Sequence, residues 1–216
     1  MKGQGRNDVV FTIGHSTHPQ KRFKELLHQH RITAVADVRS TPYSRRNPQF
    51  NRTELAGWLA EADIAYVFLG RELGGRSDDP SDYENGRVRY DRLQAKLAFG
   101  VGVERIVRGA LDQRIALVCS EKEPLDCHRS LLVAQALADR GVSVNHILAD
   151  GSLETHSQTM KRLLEMTGLK QAELFPPSGN ETEHAGDPVS QAVALRAAQV
   201  AYGPNTHPEN TTRSTE

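Results

Sequence analysis

Short apolar runs alternate with amphipathic stretches along residues 9–169. Five runs of five to seven residues are rich in β-branched side chains and are bounded by polar residues, which is typical of buried strands. The predicted strands are Val9–Gly14, 33–38, 64–69, Ile115–Cys119 and 142–148. Between and after them, apolar residues recur three and four positions apart, which predicts helices. The predicted helices are 19–30, 52–62, 90–111, 127–139 and 153–166.

The alternation of strand and helix predicts an α/β domain, because parallel strands are joined by right-handed helical crossovers. We expect an open, mostly parallel, five-stranded sheet with helices on both faces, in Rossmann-like or flavodoxin-like layering. This single domain spans residues 8–172, and residues 70–89 form a long polar excursion within it. Residues 173–216 are poor in apolar residues, which predicts a disordered tail with a short helix at 191–202.

Composition excludes several classes of protein. No apolar run approaches the roughly 20 residues of a membrane helix, and the first ten residues lack the apolar segment of a signal peptide. Two cysteines do not make a disulfide framework, so we expect a cytoplasmic protein with reduced thiols. Net charge is zero, but arginine outnumbers lysine 20 to 7. Arginine suits phosphate contacts, although a GC-rich genome would give the same bias.

Polar clusters follow the predicted strands at their carboxyl ends. In open parallel sheets, ligands bind outside these ends. Such clusters begin at His15, Asp37, Gly70 and Cys119, and a last one follows residue 148. Because the carboxyl ends of parallel strands meet at one edge of the sheet, the sequence predicts an active or binding site there.

Candidate acid–base groups come from three of these clusters. His15 follows the first strand, and an imidazole exchanges protons near neutral pH. Asp37 and Glu121 are carboxylates beside arginines, and together with His15 they could perform general acid–base catalysis. Alternatively, Asp37 pairs with its neighbour Arg39 as a structural ion pair. Ser16 binds substrate or caps the following helix.

Cys127, His128 and Arg129 open the helix after the fourth predicted strand. The positive end of a helix attracts anions and lowers the pKa of a thiol. Cys127 is therefore a candidate catalytic thiol, and His128 and Arg129 are candidate substrate-binding residues. The alternative is that Cys127 packs as a small apolar residue and Arg129 pairs with a carboxylate. A zinc site formed by His15, Cys119, Cys127 and His128 is conceivable, but it matches no common spacing of structural zinc ligands, so no cofactor is predicted and a divalent metal stays an alternative.

Further candidate substrate-binding residues lie in the loops after the second and third strands. Arg39 and Arg45 could hold phosphate beside Ser44, and aromatic residues nearby could stack on bases. Gly74 and Gly75 would let the backbone approach a ligand closely. Their spacing matches neither a P-loop nor a dinucleotide fingerprint. The structural alternative is that residues 40–52 form a solvent-exposed loop.

The same residues resemble a bacterial family named domain of unknown function 488. The resemblance spans residues 12–129 and is carried by four segments: Thr12-Ile13-Gly14-His15-Ser16; Asp37-Val38-Arg39 with Pro42, Ser44 and Arg45; Leu69-Gly70 with Leu73-Gly74-Gly75; and Cys119-x-Glu121 with Cys127-His128-Arg129. It implies one compact α/β domain and supplies no reaction.

The sequence thus predicts a hydrolase or group transferase acting on a phosphate-bearing small molecule, nucleotide or nucleic acid. Arg39, Arg45 and Arg129 would hold the anion, and His15 with Asp37 or Glu121 would move protons. The alternatives are a non-catalytic nucleotide-binding or nucleic-acid-binding module, which needs only the arginines, and thiol chemistry, which needs Cys127. No membrane partner is expected, and the oligomeric state is left open.

Overall fold

The sheet has six strands, as seen in a computed structural model that describes residues 9–169 and 187–203. Its strand order is β3-β2-β6-β1-β7-β8, and all neighbouring pairs are parallel except β7 and β8. A separate two-stranded hairpin consists of β4 and β5. The strands are β1 (Val9–Gly14), β2 (Ala34–Asp37), β3 (Ala65–Phe68), β4 (Tyr83–Glu84), β5 (Arg87–Val88), β6 (Ile115–Cys119), β7 (Ser143–Ile147) and β8 (Leu153–Thr155).

Helices cover both faces of the sheet, and this confirms the predicted α/β class. They are α1 (Gln20–Gln29), α2 (Arg52–Ala60), α3 (Gly70–Leu73), α4 (Tyr90–Gln94), α5 (Leu97–Gly109), α6 (Gln135–Ala138), α7 (His156–Thr167) and α8 (Pro188–Val200). The alternation of side chains along each strand divides the core in two. Phe11 and Ile13 of β1 face α1 and α2, whereas Val10 faces the core shared by α4–α8.

The segment at 153–166 differs from its prediction as one helix. Its first three residues form β8, which pairs antiparallel with β7 and makes the sixth strand. The helix starts afterwards because Thr155 caps it: its side chain accepts from the Gln158 backbone N–H, and the Gln158 side chain reaches back to the Thr155 backbone. This capping box was visible in the sequence as Thr-x-x-Gln.

The predicted helix at 90–111 is also interrupted. It consists of α4 and α5, which are separated at Ala95 and Lys96. Lys96 has extended backbone angles, so the chain changes direction between the two helices. Both helices still bury an apolar side, with Leu93 in α4 and Phe99 in α5.

The helix that follows β6 begins as a π-helix, over Arg129–Ala134, and continues as α6. All six residues of the π-helical segment are buried. Segments with π-helical geometry are rare in proteins, but those that occur are often found at functional sites. This segment therefore marks the region after β6 as unusual in its backbone as well as in its residue types.

The helix α8 lies in the part of the chain that composition predicts to be a disordered tail. Its N-cap is Asp187, whose carboxylate accepts from the Ser190 backbone N–H, and its buried Ala192 and Ala197 join the core. Arg196 donates to the Leu125 carbonyl and forms an ion pair with Asp126. The short helix therefore docks on the domain. The remainder of the predicted tail, at 173–186 and 204–216, lies outside the described residues.

The strand order brings the polar clusters together. The helices after β1 and β2 lie on one face of the sheet, whereas the helix after β6 lies on the other. Since β6 lies between β2 and β1, a crevice opens at its carboxyl end, where ligands bind in this class of sheet. In the described part of the chain, no helix has the length and apolar character needed to cross a membrane.

Candidate functional site

A small polar pocket lies at the carboxyl ends of β2 and β6. Its volume is about 100 Å³. The lining residues are Arg39, Ser40, Thr41, Gly75, Arg76, Tyr90, Cys119, Ser120, Glu121, Asp126, Cys127, His128, Val200 and Tyr202. A larger groove of about 740 Å³ lies between the β4–β5 hairpin and α8, but neither cysteine nor histidine lines it. Both cysteines of the chain and His128 line the smaller pocket, which is therefore the candidate site.

Four side chains of the pocket, Cys119, Glu121, Cys127 and His128, converge in what we call the sulfur cluster. The Oε2 atom of Glu121 lies 2.9 Å from the Cys119 Sγ and 3.1 Å from the Cys127 Sγ. The Nδ1 atom of His128 lies 3.5 Å from the Cys119 Sγ and 3.9 Å from the Cys127 Sγ. Both cysteines are free and buried. The cluster combines two thiols, a carboxyl group and an imidazole, and three of its members offer atoms that could hold a metal ion.

Local structure explains why residues eight positions apart meet. Cys119 ends β6, and the chain then passes through a 3₁₀ turn at Pro124–Asp126. The Glu123 side chain accepts from the Leu125 backbone N–H and stabilises the entry to this turn. Cys127 follows at once and faces back toward the end of the strand.

The thiols of the cluster differ in their electrostatic environments. Burial raises the pKa of the Cys119 thiol well above its ordinary value, and the hydrogen bond with Cys127 and the charges of Cys127 and Glu121 act in the same direction. Burial also raises the pKa of the Cys127 thiol. However, the hydrogen bond from Cys119 and the charges of Arg129 and His128 outweigh burial and lower that pKa well below its ordinary value. Negative charge is therefore favoured on Cys127, whose Sγ accepts from the Arg129 backbone N–H at 3.4 Å.

The remaining two groups respond to that charge. Glu121 is exposed as a residue, but its carboxyl group lies against the sulfurs, and loss of water there together with the charge of Cys127 raises its pKa. Burial lowers the pKa of His128, but the contact with Cys127 and the charge of Glu121 outweigh it and raise the pKa. The four groups of the cluster therefore influence one another's pKa values.

Arg129 is buried beneath the loop that carries Glu121. Its Nη1 donates to the Glu121 carbonyl at 2.6 Å and its Nη2 to the Lys122 carbonyl at 3.1 Å. No carboxylate in ranges 9–169 and 187–203 forms an ion pair with it, and its Nε lacks a hydrogen-bond partner there. The guanidinium group thus shapes the loop and lies behind the pocket, since it is not among the lining residues.

Asp37 and Arg39 form a buried ion pair at the end of β2. The Arg39 Nε donates to Oδ1 at 2.8 Å and Nη2 to Oδ2 at 2.6 Å, while the Tyr66 hydroxyl donates to Oδ2 at 2.9 Å. This is the structural alternative that the sequence left open. The Asp37 carboxylate has its acceptors occupied and lies outside the pocket lining, whereas Arg39 remains on the pocket wall.

His15 lies beside the pocket without lining it. Its Nδ1 lies 2.9 Å from the Ser16 carbonyl, its ring stacks on Phe50 at 4.4 Å, and its buried Nε2 has no partner in the described residues. Burial, together with the charge of Arg39, lowers the pKa of His15 to about 4. The ring is therefore neutral near pH 7. Ser16 has a positive φ of 45° and makes the turn that leads to α1, with its backbone N–H on the Ser120 carbonyl.

The structure separates the other predicted binding residues. Ser44 belongs to a loop that Asn51 organises: the Ser44 backbone N–H donates to Asn51 Oδ1. Neither Ser44 nor the exposed Arg45 lines the pocket. Gly75 does, and a Cβ there would come within 2.8 Å of the His128 ring. Gly74 plays a supporting part, because a Cβ there would come within 2.3 Å of the Gly70 carbonyl oxygen and of the Ser40 hydroxyl.

Nine pocket residues were absent from the predicted site: Ser40, Thr41, Arg76, Tyr90, Cys119, Ser120, Asp126, Val200 and Tyr202. Ser40 and Arg76 meet because the Ser40 hydroxyl accepts from the Arg76 backbone N–H at 3.0 Å. The Arg76 guanidinium stacks on the Tyr202 ring at 4.2 Å. Arg76 stood beside the glycine pair in the sequence, so it could have been included. Tyr202 could not, since it comes from the segment predicted to be disordered.

Comparison with known proteins supports the family resemblance. Searches of curated proteins and of solved structures found no match. A family model described as "Domain of unknown function DUF488" matches residues 19–136, which is more than half of the 216 residues. The match includes the Asp37–Arg39 pair, the glycine pair and the whole sulfur cluster, and it begins after His15. The chain therefore belongs to the DUF488 family, whose description assigns a domain and no reaction.

Proposed function

We propose that the chain is an enzyme, a hydrolase or group transferase, whose reaction centre is the sulfur cluster and whose substrate presents a phosphate group to the small pocket. One observation carries the proposal: a cluster of acid–base and nucleophilic groups forms one side of a pocket that two arginines line. Catalytic sites combine such groups with a means of holding the substrate beside them.

The pocket wall favours an anion. Arg76 lines the pocket and forms no ion pair with any described residue, whereas the charge of Arg39 is balanced by Asp37. The hydroxyl groups of Ser40, Thr41 and Ser120 add donors around the same space. Arginine provides planar, charge-assisted hydrogen bonds that match phosphate oxygens. Arg76 therefore takes the part that the sequence gave to Arg45 and Arg129.

The size of the pocket limits what it encloses. Sites that enclose a whole organic ligand measure roughly 300–1,000 Å³, compared with about 100 Å³ here. A phosphate group fits this space, and the rest of a larger substrate would lie outside it. Glu121 would then be placed to exchange a proton with the phosphate ester, while His128 is held in place by its hydrogen bond to the Val38 carbonyl and His15, neutral and behind the pocket, supports the wall.

Binding of inorganic phosphate, followed by isothermal calorimetry, tests the anion site. Arg76→Ala should weaken phosphate binding about tenfold or more, because a charge-assisted contact contributes roughly 1.5–3 kcal/mol. Arg71→Ala is the matched control. It removes the same charge, but Arg71 is exposed on α3 and lies outside the pocket. Equal affinities in the two variants would contradict the proposed anion site.

Turnover of p-nitrophenyl phosphate and its diester tests catalysis separately. Glu121→Gln should retain phosphate binding and lose at least about 100-fold in kcat, the usual contribution of an acid–base group. If phosphate binds but neither ester is turned over by the wild-type chain, the non-catalytic binding module becomes the better explanation.

A further inference from the structure

We propose that the sulfur cluster is a metal site for a zinc-class ion, with Cys119 Sγ, Cys127 Sγ, His128 Nδ1 and Glu121 Oε2 as ligands. The inference concerns the pocket of the proposed function and deepens it by naming a cofactor. Metal binding and turnover are measured independently, so either can fail alone.

The distances match a tetrahedral ion. Zinc binds sulfur at about 2.3 Å and nitrogen at about 2.0–2.1 Å, so a tetrahedral ion separates a sulfur and a nitrogen ligand by roughly 3.6 Å. The His128 Nδ1 lies 3.5 and 3.9 Å from the two sulfurs. The two sulfurs and this nitrogen, three of the four proposed ligand atoms, all lie within 4.8 Å of one another. The two sulfurs and the imidazole nitrogen are therefore arranged around a common centre.

The outer hydrogen bond of His128 supports a metal ligand. Its Nε2 lies 2.9 Å from the Val38 carbonyl oxygen. Because a carbonyl only accepts, Nε2 carries the hydrogen and Nδ1 is directed at the sulfurs. Histidine ligands to metals commonly donate their other ring N–H to a backbone carbonyl in this way, which fixes the orientation of the ring. The close approach of Gly75 to the same ring restricts it further.

Glu121 supplies the fourth ligand. Its Oε2 lies at hydrogen-bond distance from the two sulfurs, 2.9 and 3.1 Å, so the carboxylate would turn away from them by roughly 0.5 Å to share a tetrahedral ion with them. Two thiolates, an imidazole and a carboxylate suit a borderline ion such as Zn²⁺ better than Mg²⁺ or Ca²⁺, which prefer oxygen ligands. The ligand set is also of the kind that catalytic zinc sites use, since a carboxylate on an exposed loop can give way to substrate or water.

Arg129 balances the charge of the loaded site. Two thiolates and one carboxylate around a dication carry a net charge of −1. The Arg129 guanidinium is fully buried behind the loop, and no carboxylate of the described residues pairs with it. A buried cation without a counter-ion is costly, and an anionic metal centre would provide one. The Arg129 backbone N–H also donates to the Cys127 Sγ, as N–H groups do around thiolate ligands.

Metal binding would exchange protons for the ion. Thiol and imidazolium hydrogens within the cluster leave as Zn²⁺ enters, since these ligands must be deprotonated to bind. Neither an oxidant nor a reductant takes part, and the oxidation state of zinc does not change. The pocket provides the entry path, because all four ligand residues line it.

The test uses the full chain without a histidine tag, reduced and stripped of metal with a chelator, then titrated with ZnCl₂ against a colorimetric zinc chelator. We expect one zinc ion per chain. Cys119→Ala, Cys127→Ala and His128→Ala should each lower the affinity at least about 100-fold, which exceeds the loss usual for outer-shell changes. His28→Ala is the matched control, because His28 is exposed on α1 and should leave zinc binding unchanged.

Two further measurements keep the proposal falsifiable if a variant fails to fold. In the wild-type chain, zinc should protect both cysteines from alkylation, and cobalt(II) should produce a thiolate-to-metal charge-transfer band in the near ultraviolet. Wild-type chain that binds no zinc, or zinc that leaves both cysteines open to alkylation, would overturn the metal site. If zinc binds as described but no phosphate ester is turned over, the proposed function fails and the metal site stands.

Discussion

Two polar networks, one at the carboxyl end of β6 and one linking β1, β7 and α7, differ in how completely their hydrogen bonds are satisfied. One is the sulfur cluster with Arg129, described above. The other, which we call the histidine chain, runs from Thr12 through His146 and His156 to Gln135. Buried polar groups are normally hydrogen-bonded. A network that is complete by itself is expected to stabilise the fold, and an incomplete one is where a ligand is expected.

All ring nitrogens of the histidine chain have hydrogen-bond partners, and the hydrogen bonds all run in one direction. Gln135 Nε2 donates to the Asp139 carboxylate, so Gln135 Oε1 must accept from His156 Nε2. His156 Nδ1 then accepts from His146 Nε2 at 3.1 Å, and His146 Nδ1 accepts from the Thr12 hydroxyl at 2.7 Å. Each ring is thereby fixed as a neutral tautomer with its hydrogen on Nε2.

The region around the sulfur cluster is incomplete by comparison. The buried Nε2 of His15 and Nε of Arg129 have no hydrogen-bond partner in the described residues. The two thiols and Glu121 converge on each other, although thiols are weak hydrogen-bond donors. The difference teaches that burial of polar groups alone does not mark a functional site. The unmatched polar atoms and the concentration of ligand atoms distinguish the pocket from a structural network.

The largest expected effect comes from breaking the histidine chain. His156→Leu keeps a similar volume but leaves the His146 N–H without its acceptor, so the free energy of unfolding should fall by about 2–4 kcal/mol. Urea denaturation at pH 7 measures it. His28→Leu, on the exposed side of α1, should change stability by less than about 0.5 kcal/mol. Similar losses in both variants would show that the histidine chain does not stabilise the fold.

The pH dependence of stability gives a second test of the contribution of the histidine chain. Burial lowers the pKa of His156 to about 4 and the pKa of His146 well below 6.5, with the charge of His156 acting in the same direction on His146. The unfolded chain therefore binds more protons than the native state, and stability present above pH 6.5 is lost as pH falls toward 4. For His156 alone the loss is about 3 kcal/mol, at 1.36 kcal/mol for each unit of pKa shift.

The His156→Leu variant isolates the contribution of His156 to the pH dependence of stability. The stability difference between wild type and His156→Leu should be largest near pH 7 and shrink steadily between pH 6.5 and 4, because only wild type has this group to protonate. Urea denaturation series at several pH values provide the measurement. A difference that stays constant over this range would mean that His156 titrates normally in the native state.

The smallest expected effect comes from the sulfur cluster. In metal-free protein, Cys119→Ala should lower the free energy of unfolding by about 1 kcal/mol, the cost of removing one small buried group. The same urea denaturation, with chelator present, measures it. A loss as large as that of His156→Leu would place the sulfur cluster among the structural networks and remove the contrast between the two regions.

Much of the fold was predictable because its signals are local. The strand at Ile115–Cys119 and the first strand have the predicted bounds, since each is a continuous apolar run in the centre of a parallel sheet. The sixth strand was not predictable from periodicity, because Leu153–Thr155 is short and is defined by its pairing with β7. The docking of α8 depends likewise on contacts with distant residues, such as Arg196 on Leu125.

The position of the candidate site was predictable from the sequence, but the roles of its residues were less so. Strand direction was enough to place Arg39, Cys119 and Cys127 at one edge of the sheet. It could not show that Asp37 already holds Arg39 or that Arg129 binds carbonyl groups behind the pocket. The guanidinium group of arginine binds carboxylate, carbonyl and phosphate oxygens alike. Which of these an arginine binds therefore depends on which oxygen lies within hydrogen-bond distance in the folded chain.

By itself, the sequence determined the α/β class, the direction of the strands and the gathering of cysteine, histidine and arginine at their carboxyl ends, because these follow from periodicity and the handedness of crossovers. Only the tertiary structure decided which of those residues meet. Cys119 and His128 come within 3.5 Å because a 3₁₀ turn folds the loop after β6 back on the strand, and the Val38 carbonyl on the adjacent strand end fixes the imidazole ring. Such contacts depend on the angle and distance between elements, which no pattern along a single chain encodes locally.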